Sequence, residues 1–209
     1  MIDLIHVTKT LKGRKVLKDI SYHFEEAKIY GLFGINGSGK TMLLRAIGGL
    51  LVPTNGKVLI NQKQLHKDIS FPPSVGIIIE TMQMLPQFDA KNNLSILAKV
   101  KKVATEEAIR TSLERVGLDP DSKLKVRKFS LGMKQRLNIA QAIFEKPQLL
   151  LLDEPTNAID DKGIQQIHQI LAEEKKRGAT IIIATHNKED IRPLCDEILK
   201  MEDGVLTRE

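Results

Sequence analysis

The sequence has little cysteine, few aromatic residues and no long hydrophobic run. Its one cysteine, Cys195, cannot form an internal disulfide, as is typical of a reducing compartment, and we expect it to be a small packing residue. Because tryptophan is absent and aromatic residues make up 4% of the chain, stacking platforms for single-stranded nucleic acids are scarce. The longest apolar runs are far shorter than the roughly 18 residues that cross a membrane, and the first residues hold no apolar signal core, so we expect a cytoplasmic protein.

Charged residues are abundant, but neither sign dominates. The chain carries 32 Lys and Arg residues against 26 Asp and Glu residues, a formal net charge of +6. A positive balance is compatible with nucleic acid or an anionic membrane surface as a partner, whereas basic residues scattered among acidic ones are typical of a solvated mixed surface. We expect the second, and therefore no direct contact with nucleic acid.

Four apolar runs are interpreted as buried strands of a parallel sheet, with helical patterns between them. The stretch from about residue 92 to 144 differs, because it is long, charged and helix-prone. In it Thr105 is placed to cap a helix and Gly117 to end it. The four runs are residues 29–35, 75–79, 149–152 and 180–184.

The first of these runs leads into a glycine-rich octet that satisfies G-x-x-x-x-G-K-[ST], and a helical pattern follows it. In such a loop the backbone N–H groups converge on phosphate oxygens, and the helix presents its positive N-terminus. Lys40 would neutralise the charge of the β- and γ-phosphates, and Thr41 would bind Mg²⁺. The alternative is a glycine-rich turn that binds nothing. The octet is Gly34, Ile35, Asn36, Gly37, Ser38, Gly39, Lys40 and Thr41.

The apolar run at residues 149–152 is followed by two adjacent carboxylates, Asp153 and Glu154. A buried strand would carry Asp153 to the carboxyl edge of the sheet, where it can hold Mg²⁺ directly or through water. Glu154 is then a candidate base for an attacking water. Two carboxylates before Pro155 could instead form a solvated turn, but beside a phosphate-binding loop they favour catalysis.

Two short patterns suggest another class of P-loop protein. Residues 160–163 fit D-x-x-G and residues 187–190 fit N-K-x-D, the switch and guanine-reading motifs of GTPases, in the right order. In GTPases the D-x-x-G aspartate directly follows a buried strand, whereas here that strand ends at Asp153. Chance matches explain the patterns better, and a GTPase is the lesser alternative.

Residues 129–136 read F-S-L-G-M-K-Q-R, and at this point the chain resembles the ATP-binding cassette (ABC) family throughout its length. The signature of that family is L-S-G-G-Q followed by Q-Q-R. As an alternative, Ser130 is simply a helix N-cap, and the two roles are compatible because a hydroxyl and free amides at a helix start bind anions. The matching residues are Ser130, Gly132, Gln135 and Arg136, and the departures are Leu131 and Met133.

Further elements of the family follow in order. Asp160 resembles the D-loop aspartate, and His186 resembles the switch histidine near the γ-phosphate. Two positions depart from the family. Glu80 stands where a glutamine is usual, and it would still orient water or Mg²⁺. Leu11 stands where an aromatic residue usually stacks on adenine.

The resemblance implies a single ABC ATPase domain over residues 1–209, with the α/β fold of a P-loop NTPase. This fold has a mainly parallel sheet core, an N-terminal antiparallel β portion and an inserted helical subdomain. The nucleotide-binding core would comprise residues 1–90 and 145–209, and the helical subdomain with the signature motif about residues 91–144.

The resemblance also implies a mechanism, in which a homodimer or a pair of ATPase subunits closes around ATP and Mg²⁺. ATP on the 34–41 loop of one subunit is capped by Ser130 and Gly132 of the other, and Lys40, Glu154 and His186 act in hydrolysis. The resulting closing and opening drives a membrane partner.

That membrane partner would be a separate integral-membrane permease, which would hold the chain on the inner face of the cell membrane. The expected docking residues are Met82, Met84, Leu85 and Phe88, although these apolar residues could equally be core. A narrower resemblance is to bacterial subunits that serve exporters of peptide antibiotics or bacteriocins. The alternative is a soluble ABC-type ATPase in nucleic-acid metabolism or translation.

Overall fold

A computed structural model describes residues 1–79 and 84–209, which fold into ten β-strands and six α-helices. The strands are β1 (Ile2–Leu11), β2 (Arg14–Phe24), β3 (Ile29–Phe33), β4 (Asn55–Ile60), β5 (Lys63–Gln64), β6 (Val75–Ile78), β7 (Leu149–Asp153), β8 (Thr180–Thr185), β9 (Glu197–Glu202) and β10 (Val205–Arg208). The helices are α1 (Lys40–Ile47), α2 (Ala90–Lys101), α3 (Glu106–Arg115), α4 (Leu131–Ile143), α5 (Asp161–Lys176) and α6 (Lys188–Ile191), with a short 3-10 helix at Val126–Lys128.

A six-stranded sheet in the order β10-β9-β3-β8-β7-β6 forms the centre of the fold. The strands from β9 to β6 are parallel, and β10 pairs antiparallel with β9. The strands predicted from the apolar runs are confirmed as β3, β6, β7 and β8, although β3 ends at Phe33 and β6 at Ile78, earlier than the runs do. Because parallel strands end at one edge of a sheet, the residues that follow β3, β7 and β8 come together there.

Strand β8 shows why the apolar runs are continuous rather than alternating. Ile181 and Ile183 pack into one hydrophobic cluster, on the face that α4 and α5 cover, whereas Ile182 and Ala184 pack into a second cluster with α1 on the opposite face. Because the strand is covered on both faces, successive side chains are buried alike, and residues 181–184 are all apolar.

The predicted packing role of Cys195 agrees with its surroundings. A Cβ atom added at Gly31 of β3 would lie 2.9 Å from the sulfur of Cys195, so the thiol fills the space over that glycine. Burial raises the pKa of the Cys195 thiol to about 12. A thiol this hard to ionise is a poor nucleophile, because the thiolate is the reactive form.

The N-terminal strands form a second sheet of four antiparallel strands, in the order β2-β1-β4-β5. This confirms the predicted N-terminal antiparallel portion. Its inward side chains, among them Val7 and Leu17, share the hydrophobic cluster of α1 and so join this sheet to the central one.

Helices α2, α3 and α4 lie between β6 and β7 in the chain, and a side-chain cap opens each of them. Thr105 accepts from the backbone N–H of Ala108, as predicted, and Gly117 takes a φ of +75° just beyond α3. The division into residues 1–90 with 145–209 and a helical subdomain at 91–144 stays a prediction. Within the described ranges no helix combines the length and apolar character that crossing a membrane requires.

Candidate functional site

The glycine-rich octet forms the turn between β3 and α1, and its glycines differ in how closely other backbone atoms approach them. A Cβ atom at Gly34 would lie 2.3 Å from the backbone oxygen of Met201, and one at Gly39, where φ is +111°, would lie 2.8 Å from the backbone oxygen of Val16. At Gly37, with φ of +80°, nothing lies within 4 Å of the added atom. The loop is therefore packed closely on the protein at Gly34 and Gly39 and open at Gly37 and at the exposed Asn36.

Two polar side chains are buried inside this loop. The ammonium group of Lys40, which is 6% exposed, donates to the backbone oxygens of Gly34 at 2.6 Å and Ile35 at 3.2 Å. Burial lowers the pKa of Lys40, and the carboxylates of Glu154 and Asp153 oppose that shift. The hydroxyl oxygen of Ser38 is buried and has no hydrogen-bond partner among the described residues. A desolvated cation and an unpaired hydroxyl fit an anion with several oxygens, such as a phosphate chain.

Thr41, in the first turn of α1, meets the end of β7. Its hydroxyl donates to Oδ2 of Asp153 at 2.6 Å. A hydroxyl and a carboxylate oxygen side by side fit the oxygen preference of Mg²⁺, which usually keeps water and substrate oxygens as its other ligands. In the ranges that the structure covers, no cluster of three or more His, Cys, Asp or Glu side chains could hold a metal ion. Glu80, the other predicted ligand, lies outside the described residues.

Glu154 follows β7 and reaches the end of β8, where His186 lies. One carboxylate oxygen of Glu154 accepts from the backbone N–H of His186 at 2.9 Å and contacts its Nδ1 at 2.7 Å. The other accepts from the hydroxyl of Thr185 at 3.0 Å. Because an ionised carboxylate only accepts, Nδ1 of His186 carries the proton in this pair. Two of the three predicted catalytic side chains, Glu154 and His186, are thus in contact at the carboxyl edge of the sheet.

Ser130 and Gly132 lie at the start of α4. The hydroxyl of Ser130 accepts from the backbone N–H of Met133 at 3.2 Å, so Ser130 caps the helix. Neither residue hydrogen-bonds to the 34–41 loop in the part of the chain that the structure describes. Leu131 between them is 70% exposed. The predicted site residues therefore form two groups within one chain, and no hydrogen bond between described residues joins Ser130 or Gly132 to the loop.

Gln135 makes a contact with the turn after β7 that the sequence did not predict. Its side-chain amide donates to the backbone oxygens of Glu154 at 3.2 Å and Pro155 at 3.0 Å. In the sequence Gln135 only matches the signature, because nothing in the pattern indicates that α4 reaches the end of β7. Nearby, a cleft of about 750 Å³ is lined by Gln135, Asp153 and Glu154, together with Ile78 and Asn138.

The GTPase patterns occupy positions that do not suit their roles. Asp160 directly precedes α5 and pairs with Arg136 at 3.2 Å, rather than ending a strand. Asn187 precedes the short helix α6, and its backbone N–H bonds to Thr185. Leu11, at the end of β1, is 39% exposed.

Comparison with known proteins gives one consistent family. The ABC transporter family model matches residues 17–157. The uncharacterized ABC transporter ATP-binding protein YybJ of Bacillus subtilis (strain 168) is 64% identical over 206 residues, covering 99% of this chain and 94% of that protein. The bacitracin transport ATP-binding protein BcrA of Bacillus licheniformis is 36% identical over 211 residues, covering 100% of this chain and 69% of that protein.

A solved structure agrees with these relatives. The dimeric post-hydrolysis state of the ATP-binding cassette MJ0796, bound to ADP and Pi, matches with a TM-score of 0.91 and 27% identity, covering 100% of this chain and 97% of that one. The described fold and the relatives thus agree over the whole length of the chain, and neither favours a GTPase or a nucleic-acid ATPase.

Proposed function

This chain belongs to the ABC transporter family as an ATP-binding and ATP-hydrolysing subunit, and on that premise we propose that two such subunits close head to tail around ATP. The pair is a homodimer or this chain with a paired ATPase subunit. Each nucleotide lies on the 34–41 loop of one subunit and under Ser130 and Gly132 of the other. Closing and opening of the pair drives a separate integral-membrane permease.

The observation that carries this proposal is the division of the site residues into two groups. Thr41 of the loop is hydrogen-bonded to Asp153, the residue before Glu154, whereas Ser130 and Leu131 face solvent. The positive N-terminus of α4, where these residues lie, favours the binding of an anion such as a nucleotide phosphate. The MJ0796 cassette, a relative of the same fold, was solved as a dimer with ADP and Pi.

The loop supplies the phosphate-binding half. The ammonium of Lys40 exchanges its two backbone oxygens for phosphate oxygens, which offsets the burial that lowers its pKa. The unpaired hydroxyl of Ser38 gains an acceptor at the same time. Thr41 and Asp153 are the residues that would hold Mg²⁺, whose charge would stabilise the transferring phosphoryl group.

Glu154 is the residue that accepts the proton of the attacking water. Its carboxylate is held from two sides, by the hydroxyl of Thr185 and by both donors of His186, and free lone pairs remain for a water. His186 therefore sets the orientation of the base as well as lying beside the phosphate site. Loss of the γ-phosphate removes contacts that both subunits share, so the pair loosens.

The assignment of Glu154 is tested by the rate of phosphate release. Glu154→Gln keeps the shape of the side chain but removes the basic carboxylate, so hydrolysis falls by roughly 10²–10⁴-fold, the usual contribution of a general base. ATP binding, measured by calorimetry, survives. Glu173→Gln, an exposed glutamate of α5, serves as the control and keeps the wild-type rate. Equal rates in Glu154→Gln and wild type would remove Glu154 from the mechanism.

We place the permease contact beside the start of α2. Of the expected docking residues, Met84 is packed against the core, Phe88 is half-buried and Leu85 is 39% exposed, while Met82 lies outside the described residues. Leu85 is therefore the best candidate for a contact. The permease places the chain on the cytoplasmic face of the membrane. Because BcrA is a bacitracin transport protein, the proposed cargo class is a peptide antibiotic.

Detergent-solubilised native membranes test the permease contact. We expect the wild-type chain to recover one multi-spanning membrane protein, and Leu85→Asp to lose it. Ile96→Asp on α2 is a matched control, since Ile96 is 38% exposed against 39% for Leu85. Recovery of ribosomes or nucleic acid instead would support the soluble ATPase, and equal loss in both variants would remove Leu85 from the contact.

A further inference from the structure

The amide of Gln135 is oriented so that its donor faces the turn after β7. Its Nε2 donates to the backbone oxygens of Glu154 and Pro155, at 3.2 and 3.0 Å. Its Oε1 faces the side-chain amide of Asn138, 3.4 Å away, which can only donate through that nitrogen. The two contacts fix which end of the Gln135 amide points at the turn.

This turn holds an uncommon backbone conformation at the base itself. Glu154 has a φ of +49°, in the left-handed region that a non-glycine residue rarely occupies. Such conformations persist only where the surroundings enforce them. The backbone N–H of Glu154 donates to the oxygen of Ala184 at 2.8 Å, and its own oxygen accepts from Asn157 at 3.3 Å and from Gln135. The side-chain amide of Gln135 thus donates to the backbone oxygen of Glu154, the residue with the positive φ, and to that of Pro155, which follows it.

The Gln135 side chain that holds this turn is carried by a well-packed helix. Gln135 lies in α4, a helix of 13 residues that opens at the Ser130 cap and is buried along Leu137, Ile139 and Ala140. On the same helix, a Cβ atom at Gly132 would come within 2.9 Å of the backbone oxygen of Ala158, so α4 packs closely against the segment after Glu154.

We infer that Gln135 is a positioning residue for hydrolysis, which holds the backbone of Glu154 so that its carboxylate faces the attacking water. This inference rests on the proposed role of Glu154 as the base. Among the described residues, Gln135 forms no hydrogen bond with the loop or with Asp153, so we expect its loss to affect the chemical step and not the affinity for ATP.

The test substitutes the amide by a thioether of similar length. In Gln135→Met we expect kcat for ATP hydrolysis to fall by about 10- to 100-fold, the loss that a small misplacement of a catalytic group causes, with KM unchanged. Gln166→Met is the matched control, because its amide likewise donates to a backbone oxygen, that of Arg115 at 2.7 Å, and also accepts from Arg136. The control loses thermal stability but keeps its kcat.

A double-mutant cycle distinguishes positioning from general damage. Because Gln135 acts through the carboxylate of Glu154, Gln135→Met adds no further loss to Glu154→Gln. If Gln135→Met fails to fold, Gln135→Glu, which also lacks the donor, takes its place. Wild-type kcat in the Gln135 variant, equal losses in the Gln166 control, or full additivity in the double variant would each overturn the inference. Wild-type hydrolysis by Glu154→Gln alone would instead overturn the proposed base.

Discussion

The glycine-rich loop and the start of α4 are both helix N-termini with glycine and a hydroxyl residue, but one is built into the core and the other is not. Lys40 and Ser38 are buried, and Thr41 is joined to Asp153. At α4, Ser130 and Leu131 face solvent. On the proposed function, the first region binds phosphate within one chain, whereas the second acts on the nucleotide of another subunit.

Removing the charge of the loop gives the largest expected effect. In Lys40→Ala the phosphates lose several charge-assisted hydrogen bonds, and we expect ATP affinity to fall by about 10²–10³-fold. Calorimetry with ATP measures the loss, and Lys176→Ala, an exposed lysine near the end of α5, serves as control. Equal affinity of the Lys40 variant and wild type would show that the loop is not the phosphate site.

A substitution at the start of α4 should leave ATP binding intact and weaken the association of two subunits. Because Leu131 is 70% exposed, Leu131→Ser changes the free energy of unfolding by less than about 0.5 kcal/mol and leaves ATP binding intact. It should nevertheless weaken ATP-dependent association about tenfold, since it removes an apolar contact of the interface. Thermal unfolding and sedimentation in Mg-ATP separate the two effects. A large loss of stability would mean that Leu131 packs within its own chain.

The smallest expected effect concerns the base of the nucleotide. Leu11 has no ring to stack on adenine, so wild type should discriminate weakly between ATP and GTP. Leu11→Tyr adds a stacking surface, for which a gain of about 1 kcal/mol, or about fivefold in ATP affinity, is expected. Titration of both nucleotides measures it. A strong preference of the wild type for ATP would show that another residue recognises the base.

The sequence predicted the residues of the loop and the pair Asp153–Glu154 better than the hydrogen bonds that link them to other elements. Short-range features, such as the strand before the loop, the pair Asp153–Glu154 and the Thr105 cap, depend on residues that are close in the chain. The hydrogen bonds between His186 and Glu154 were not predicted, although parallel strands that end at one edge bring the residues after β7 and β8 together. The hydrogen bonds from the Gln135 amide to the backbone of Glu154 and Pro155 could not be predicted. They depend on how α4 packs against the end of β7 and on the φ of +49° at Glu154, which no local pattern encodes.

In the proposed dimer, the exposed start of α4 acts on the nucleotide of the other subunit. Size-exclusion chromatography with light scattering tests it on Glu154→Gln, with and without Mg-ATP. Stalled hydrolysis should accumulate an ATP-bound dimer of Glu154→Gln, while wild type stays largely monomeric without its permease. Adding Ser130→Arg places a bulky side chain in the cap and should prevent the dimer, although each monomer still binds ATP through its own loop. A Glu154→Gln protein that stays monomeric at saturating ATP, or a double variant that dimerises equally well, would contradict the claim.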